Sequence, residues 1–270
     1  MFRDRLALLE NGAHEFLEKL LHLGGYCTVE QAKRLGLAKS PTRTLAQLRA
    51  LEAAGFLRRV AVYPLVFQIT KSTTRLLGSN SRARRRHSIE TIHTRLLGVS
   101  FYLEAHRWPA FFVFDHAEKV DTFVGEDCPV NALPQRAGEP YIRDEFVLCL
   151  PDGGIAVAIP DEAQRSPFLQ LRNLIKNFNA AAQYLRERLK LIVTVSYEHR
   201  DRLYHRMLRH PHLQTLSKQK PENWVRIYRV QDHSRTPPTI IWPAQNEADI
   251  TREAPSAFHE HAKTHSRIIA

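Results

Sequence analysis

A change of hydrophobic period at Gly55 constrains this chain more than any other feature. Before it, three short segments carry apolar residues at helical spacing, each between start and stop signals. Residues 13–23 place Phe16, Leu17, Leu20 and Leu21 on one face, and Gly24-Gly25 ends the segment. Thr28 then stands as an N-cap with Gln31 three residues on, the two halves of a capping box. The helix it opens is predicted to bury Val29, Ala32 and Leu35 and to end at Gly36. Ser40 followed by Pro41 repeats the start signal, because proline lacks an N–H that the first helical position leaves unpaired anyway. The third helix sets Leu45, Leu48 and Leu51 toward the core and stops at Gly55. Beyond it, FLRRVAV and LVFQIT are β-branched and aromatic, with Tyr63-Pro64 as the turn of a hairpin. A further short helix is expected over 72–77.

Charge follows the same division. The net charge is +11, and residues 1–87 hold 16 Lys/Arg against 6 Asp/Glu, while residues 88–270 hold 23 against 22. The excess therefore sits in the first third of the chain, where a polyanion is the partner that electrostatics favours, since phosphates release counterions on binding. With the three leucines inward, the third helix turns Thr42, Arg43, Ala46, Gln47 and Ala50 outward. Small alanines let such a helix sit deep in a major groove. Arginine matches guanine O6/N7 and glutamine matches adenine by donor and acceptor geometry, which makes Arg43 and Gln47 the candidate base readers. Ser40 and Thr42 lie at the helix N-terminus, where unpaired N–H groups also attract phosphate. Arg58 and Arg59 at the base of the hairpin are candidates to clamp the flanking backbone.

Three short helices and a hairpin in this order resemble a winged helix-turn-helix. The residues that carry the likeness are Thr28-Val-Glu-Gln-Ala32, Ser40-Pro-Thr-Arg-Thr-Leu45, Leu48, Leu51 and Gly55-Phe-Leu-Arg-Arg59. This unit is expected over residues 10–80. A basic linker over 81–87 follows, with Arg82, Arg84, Arg85 and Arg86 placed to track phosphates or enter a minor groove. A docking role toward an acidic protein remains the alternative for the whole basic lobe.

Residues 88–243 read as a second, α/β unit, and 244–270 as a polar, disordered tail. A long amphipathic helix over 88–107 precedes strand-like runs at 111–116, 144–150 and 154–160, the last two joined through Pro151-Asp152-Gly153-Gly154. A helix over 167–188, a buried strand at 189–196, a helix at 199–208 and a strand at 224–230 complete the pattern. The order helix, three strands, helix, strand is similar to the core of the PD-(D/E)xK nuclease-like superfamily. A winged helix ahead of such a core resembles the replication-relaxation family of plasmid and conjugative elements. Its weaker matches are Arg143-Asp144, Asp161-Glu162-Ala-Gln-Arg-Ser166, Lys176 and Tyr184. The fold class expected is therefore α/β (α+β), a winged helix-turn-helix plus a mixed-sheet, restriction-endonuclease-like domain. The resemblance implies an accessory role in plasmid replication or conjugative mobilisation, with duplex DNA and relaxosome or replication proteins as partners and the second lobe serving partner contact or a homodimer. A winged-helix transcriptional regulator is the neighbouring alternative.

Cleavage of DNA on such a core needs two acids on Mg²⁺ and a lysine two residues after the second. Asp144 fits the first acid and Asp161 or Glu162 the second, but Ala163 and Gln164 stand where the lysine belongs. Gln164 as a variant, or Lys176 reaching in from the helix, would be needed. An enzyme is thus the disfavoured alternative, and Mg²⁺ is expected only with it. No other cofactor is indicated: there is no GxxxxGK and no GxSxG. The histidine groups His205, His210 and His212, and His259, His261 and His265, lack Cys or Asp partners at ligand spacing, so no metal is expected. No 18-residue apolar run occurs, and MFRDRLALLENGAHEF lacks the pattern of a secretory signal. Three dispersed cysteines fit a reducing compartment. A cytoplasmic protein without a membrane partner is the expectation.

Overall fold

In a computed structural model, the protein is described over residues 12–62, 64–78, 87–142, 145–161 and 166–230. It is a mixed α/β molecule with a three-stranded sheet, a five-stranded sheet and a small two-stranded one. The first lobe runs α1 (His14–His22), β1 (Tyr26–Thr28), α2 (Val29–Arg34), α3 (Pro41–Ala53), β2 (Leu57–Val62), β3 (Leu65–Ile69) and α4 (Lys71–Leu76). Local signals set these boundaries. The Thr28 hydroxyl accepts from Gln31 N while the Gln31 side chain accepts from Thr28 N, a complete capping box. Ser40 Oγ accepts from Arg43 N at 3.3 Å and Pro41 opens α3. Strand β3 lies between β1 and β2, antiparallel to both, with a register shift between Arg59 and Ala61.

Strand β1 has no counterpart in the sequence expectation, because three residues are too few to show a period. Within α3 the buried residues are Thr44, Leu48 and Leu51, and Leu45 is only partly covered. Thr44 reaches the interior because its hydroxyl donates to Ser40 O at 2.8 Å, so it buries no unpaired polar group. Tyr63, the polar segment 79–86 and the tail 244–270 lie outside the described residues.

The second lobe runs α5 (Ile89–Ala105), β4 (Phe111–Val113), α6 (His116–Gly125), a 3-10 turn (Val130–Ala132), the short hairpin β5 (Gln135–Arg136) and β6 (Glu139–Pro140), then β7 (Phe146–Cys149) and β8 (Ile155–Pro160). It continues through α7 (Pro167–Leu185), β9 (Leu189–Val195), α8 (Glu198–Leu208), the single turns α9 (Pro211–Gln214) and α10 (Pro221–Trp224), and β10 (Val225–Arg229). The five-stranded sheet has the order β10-β9-β8-β7-β4, antiparallel from β4 to β8 and parallel from β8 to β10. Helix α6 and the β5–β6 hairpin, which the sequence reading left out, fill the connection from β4 to β7. Asp115 caps α6 by accepting from Ala117 N and Glu118 N, and those bonds hold its carboxyl below the usual range. Helix α7 packs Leu171, Leu174, Ile175 and Phe178 into a core shared with Val157, Leu191, Val193 and Trp224.

Helix α5 is not amphipathic as its pattern suggested. From Leu96 to Tyr102 every residue is buried. One side (Val99, Tyr102) joins the core of the first lobe, another (Leu97, Phe101, Ala105) joins a cluster under the large sheet, and Ile92 and Leu96 cover Tyr26 and Val66. Gly98 makes this double burial possible: a Cβ there would stand 3.0 Å from the Phe146 ring and 3.3 Å from Pro160 Cγ. Polar bonds fasten the same joint. Gln31 Nε2 donates to Leu96 O at 2.8 Å and Ser100 Oγ at 2.9 Å, and Arg95 donates to Gly24 O at 2.6 Å.

Candidate nucleic-acid interface

The surface of α3 follows from which residues it buries. With Thr44, Leu48 and Leu51 inside, Thr42, Arg43, Ala46 and Arg49 are exposed along one face. Arg49 is absent from the sequence expectation, since an inward Leu45 turns the predicted face by most of one residue. Gln47 is half-buried, and its Oε1 is shielded from solvent without a hydrogen-bond partner. The amide oxygen of Gln47 is therefore not presented on the exposed face. Ser40 is half-buried and engaged in its cap, while Thr42 and Arg43 project from the first turn of α3.

The two hairpin arginines are less free than expected. Arg58 Nε and Nη2 both donate to Gln68 Oε1, at 2.9 and 2.6 Å, across the β2–β3 pair. Tyr26 lies in the next strand opposite Gln68, with Arg95 over its ring at 5.7 Å. Burial pushes the Tyr26 phenol up to about 12, against the pull of Arg95 and Arg58. Its hydroxyl meets His87 Nδ1 at 2.5 Å, which pins the residue following the arginine run against β1. Arg59 is tied to Glu52 of α3 at 2.9 Å and stays partly exposed. Arg82, Arg84, Arg85 and Arg86 lie outside the described residues.

Two of the five residues considered for cleavage, Asp161 and Lys176, are among the described residues. Asp144, Glu162 and Gln164 fall outside the described residues, and Lys176 is exposed on the solvent side of α7. Asp161 is buried at the end of β8. Its Oδ2 accepts from Arg200 Nη2 and, at 2.5 Å, from the Tyr204 hydroxyl, both on α8. Arg200 also lies over the Tyr204 ring at 5.6 Å. Burial, with Asp161 next to it, drives the Tyr204 phenol well above its ordinary value. The carboxylate is thus compensated inside the fold by a guanidinium and a phenol, and a metal ion would have to displace them. Among the described residues no three His, Cys, Asp or Glu side chains gather as a metal-ligand set, and no helix is long and apolar enough to cross a membrane. No protein-family model, curated protein or solved structure matches this chain.

Proposed function

We propose that the chain binds duplex DNA, with α3 seated in the major groove and the β2–β3 hairpin beside it, as an accessory protein of plasmid replication or conjugative mobilisation. In this reading the first lobe is a winged helix-turn-helix, and the second a nuclease-like core serving partner contact. The observation that carries the proposal is the exposed face Thr42, Arg43, Ala46 and Arg49 on the most basic third of the chain. A short residue at 46 between two arginines leaves room for close approach, and arginine is the residue best matched to guanine in the major groove. The helix order, and the sheet order β1-β3-β2, support the winged-helix reading. The run α5, β4, β7, β8, α7, β9, antiparallel and then parallel, supports the nuclease-like one. The Asp161–Arg200–Tyr204 cluster speaks for a scaffold rather than a catalyst.

Fluorescence anisotropy of a labelled random-sequence duplex across salt concentrations tests the proposal. Log affinity is expected to fall steeply with log salt, with a slope for roughly 5–8 neutralised phosphates. Site selection should then return a preferred sequence that Arg43→Ala no longer prefers. Absence of binding at moderate salt, or no preferred sequence, overturns the readout.

A further inference from the structure

The second lobe carries a charge concentration of its own, far along the chain from α3. Residues 198–230 hold eight Lys/Arg against three Asp/Glu, whereas residues 88–197 hold eleven against fourteen. The lobe is therefore divided along the sequence into an acidic stretch and a basic one, and α8 with its C-cap supplies four of the eight cations and two of the three acids of the basic one. That helix buries Arg200, Tyr204 and Leu208 and exposes Arg202, His205, Arg206 and, at its C-cap, Arg209. These four positions follow helical spacing and form a single stripe. Arg202 is bonded to Glu198, a carboxylate it shares with Arg229 at 3.5 Å. Arg206 and Arg209 have no acidic partner among the described residues. Lys218 and Lys220 are exposed on the loop that follows.

Two further observations bear on what such a stripe meets. First, it is rigidly aimed: Asp161 takes bonds from Arg200 and Tyr204, one helical turn apart on the inner face, which fixes the rotation of α8 about its axis. The helix therefore presents the stripe in one fixed direction. Second, the stripe has no apolar centre. The large exposed hydrophobic residues (Leu76, Ile89, Phe111, Val124, Val130, Leu169 and Tyr184) all lie on other elements. Protein interfaces are built round apolar anchors with charge at the rim, whereas phosphate backbones are met by charge alone. From Arg202 to Arg209 the helix advances about 10 Å, the axial rise of roughly three nucleotides in one strand.

The geometry points to α8 as a second, sequence-independent surface for the phosphate backbone of a nucleic-acid duplex, acting through Arg202, Arg206 and Arg209 independently of α3. The full chain tests it by anisotropy with a labelled random-sequence duplex over a range of salt. Wild type is compared with Arg206→Ala/Arg209→Ala, the rescue pair Arg206→Lys/Arg209→Lys, and Arg43→Ala/Arg49→Ala. A benzophenone side chain in place of His205 adds a readout by photo-cross-linking. Loss of two phosphate contacts lowers the slope of log affinity against log salt by about 2 and weakens binding about tenfold near physiological salt, with the lysine pair restoring both. Cross-linking from position 205 to the duplex is expected. If only the α3 pair weakens binding and position 205 does not cross-link, the inference falls and the α3 reading stands. If only the α8 pair weakens it, the inference stands and the α3 reading falls. A wild-type chain that binds no duplex, or an α8 pair that binds with the affinity and salt slope of wild type, overturns the inference.

Discussion

Gln31 holds three jobs with one amide. Its oxygen closes the capping box on Thr28 N, and its nitrogen donates to Leu96 O and Ser100 Oγ. Substitution by methionine keeps the volume but leaves buried groups unpaired, and should cost about 1–3 kcal/mol in urea unfolding. Gln31→Glu should cost more at neutral pH, because it turns a carboxylate toward the Leu96 carbonyl. Asp161 obeys the same logic with charges. Asp161→Asn leaves Arg200 buried without its counter-charge, with an expected loss of about 3–5 kcal/mol, while Tyr204→Phe removes one hydrogen bond and should cost about 1 kcal/mol. If the two losses prove equal, the ion pair is not what holds α8. His93 supplies a pH dependence. It is half-buried on α5, and burial lowers its pKa below 6.5 more than Glu90 raises it. The unfolded chain then binds the proton more readily, so this contribution to stability is present above about pH 6.5 and is lost as pH falls through the unfolded and then the folded value. Chemical denaturation at several pH values should show that loss, and a smaller one in His93→Gln.

At the scale of elements, what was legible in the sequence was what is decided locally. The caps at Thr28 and Ser40 each act over three residues, and both hold their hydrogen bonds. The hairpin turn at Asp152-Gly153 was legible for the same reason, with Gly153 at φ +75 and Asp152 Oδ1 accepting from Gly154 N. Rotation of a helix is a tertiary matter. Leucine spacing favoured Leu45 over Thr44, and only the bond from Thr44 to Ser40 O explains the reverse, so Arg49 went unseen with it. Helix α6 went unread although Ala117, Val120, Phe123 and Val124 stand at helical spacing, because the stripe is only ten residues long and just Phe123 and Lys119 are fully covered. The α8 stripe was hidden by summing charge over 88–270, where an acidic and a basic stretch cancel. Helix α5 yields the prediction at this scale. Gly98→Val puts branched carbon against the Phe146 ring and should cost about 1–3 kcal/mol by overpacking, more than helix propensity returns, as a thermal melt would show.

Over the whole molecule, α5 makes the two lobes parts of one folding unit. Val99 and Tyr102 complete the core of the first lobe, and Phe101 with Trp108, Phe112, Phe146 and Tyr228 forms the aromatic cluster of the second. Unfolding by urea should therefore be a single transition, with Trp108 and Trp224 fluorescence coincident with hydrogen exchange at α3. Two separate midpoints would show that the joint is weaker than its contacts indicate. Domain boundaries read from composition put the division at the arginine run, before α5, yet the packing lets that helix belong to both sides. The consequence reaches past stability to modularity. A first lobe grafted elsewhere by cutting ahead of residue 88 would arrive without Ile92, Leu96, Val99 and Tyr102, and with Tyr26 and Gln31 laid open. The transferable cassette ends after α5, and any lineage or engineer that recombines these lobes has to carry the helix across with the part to which composition does not assign it.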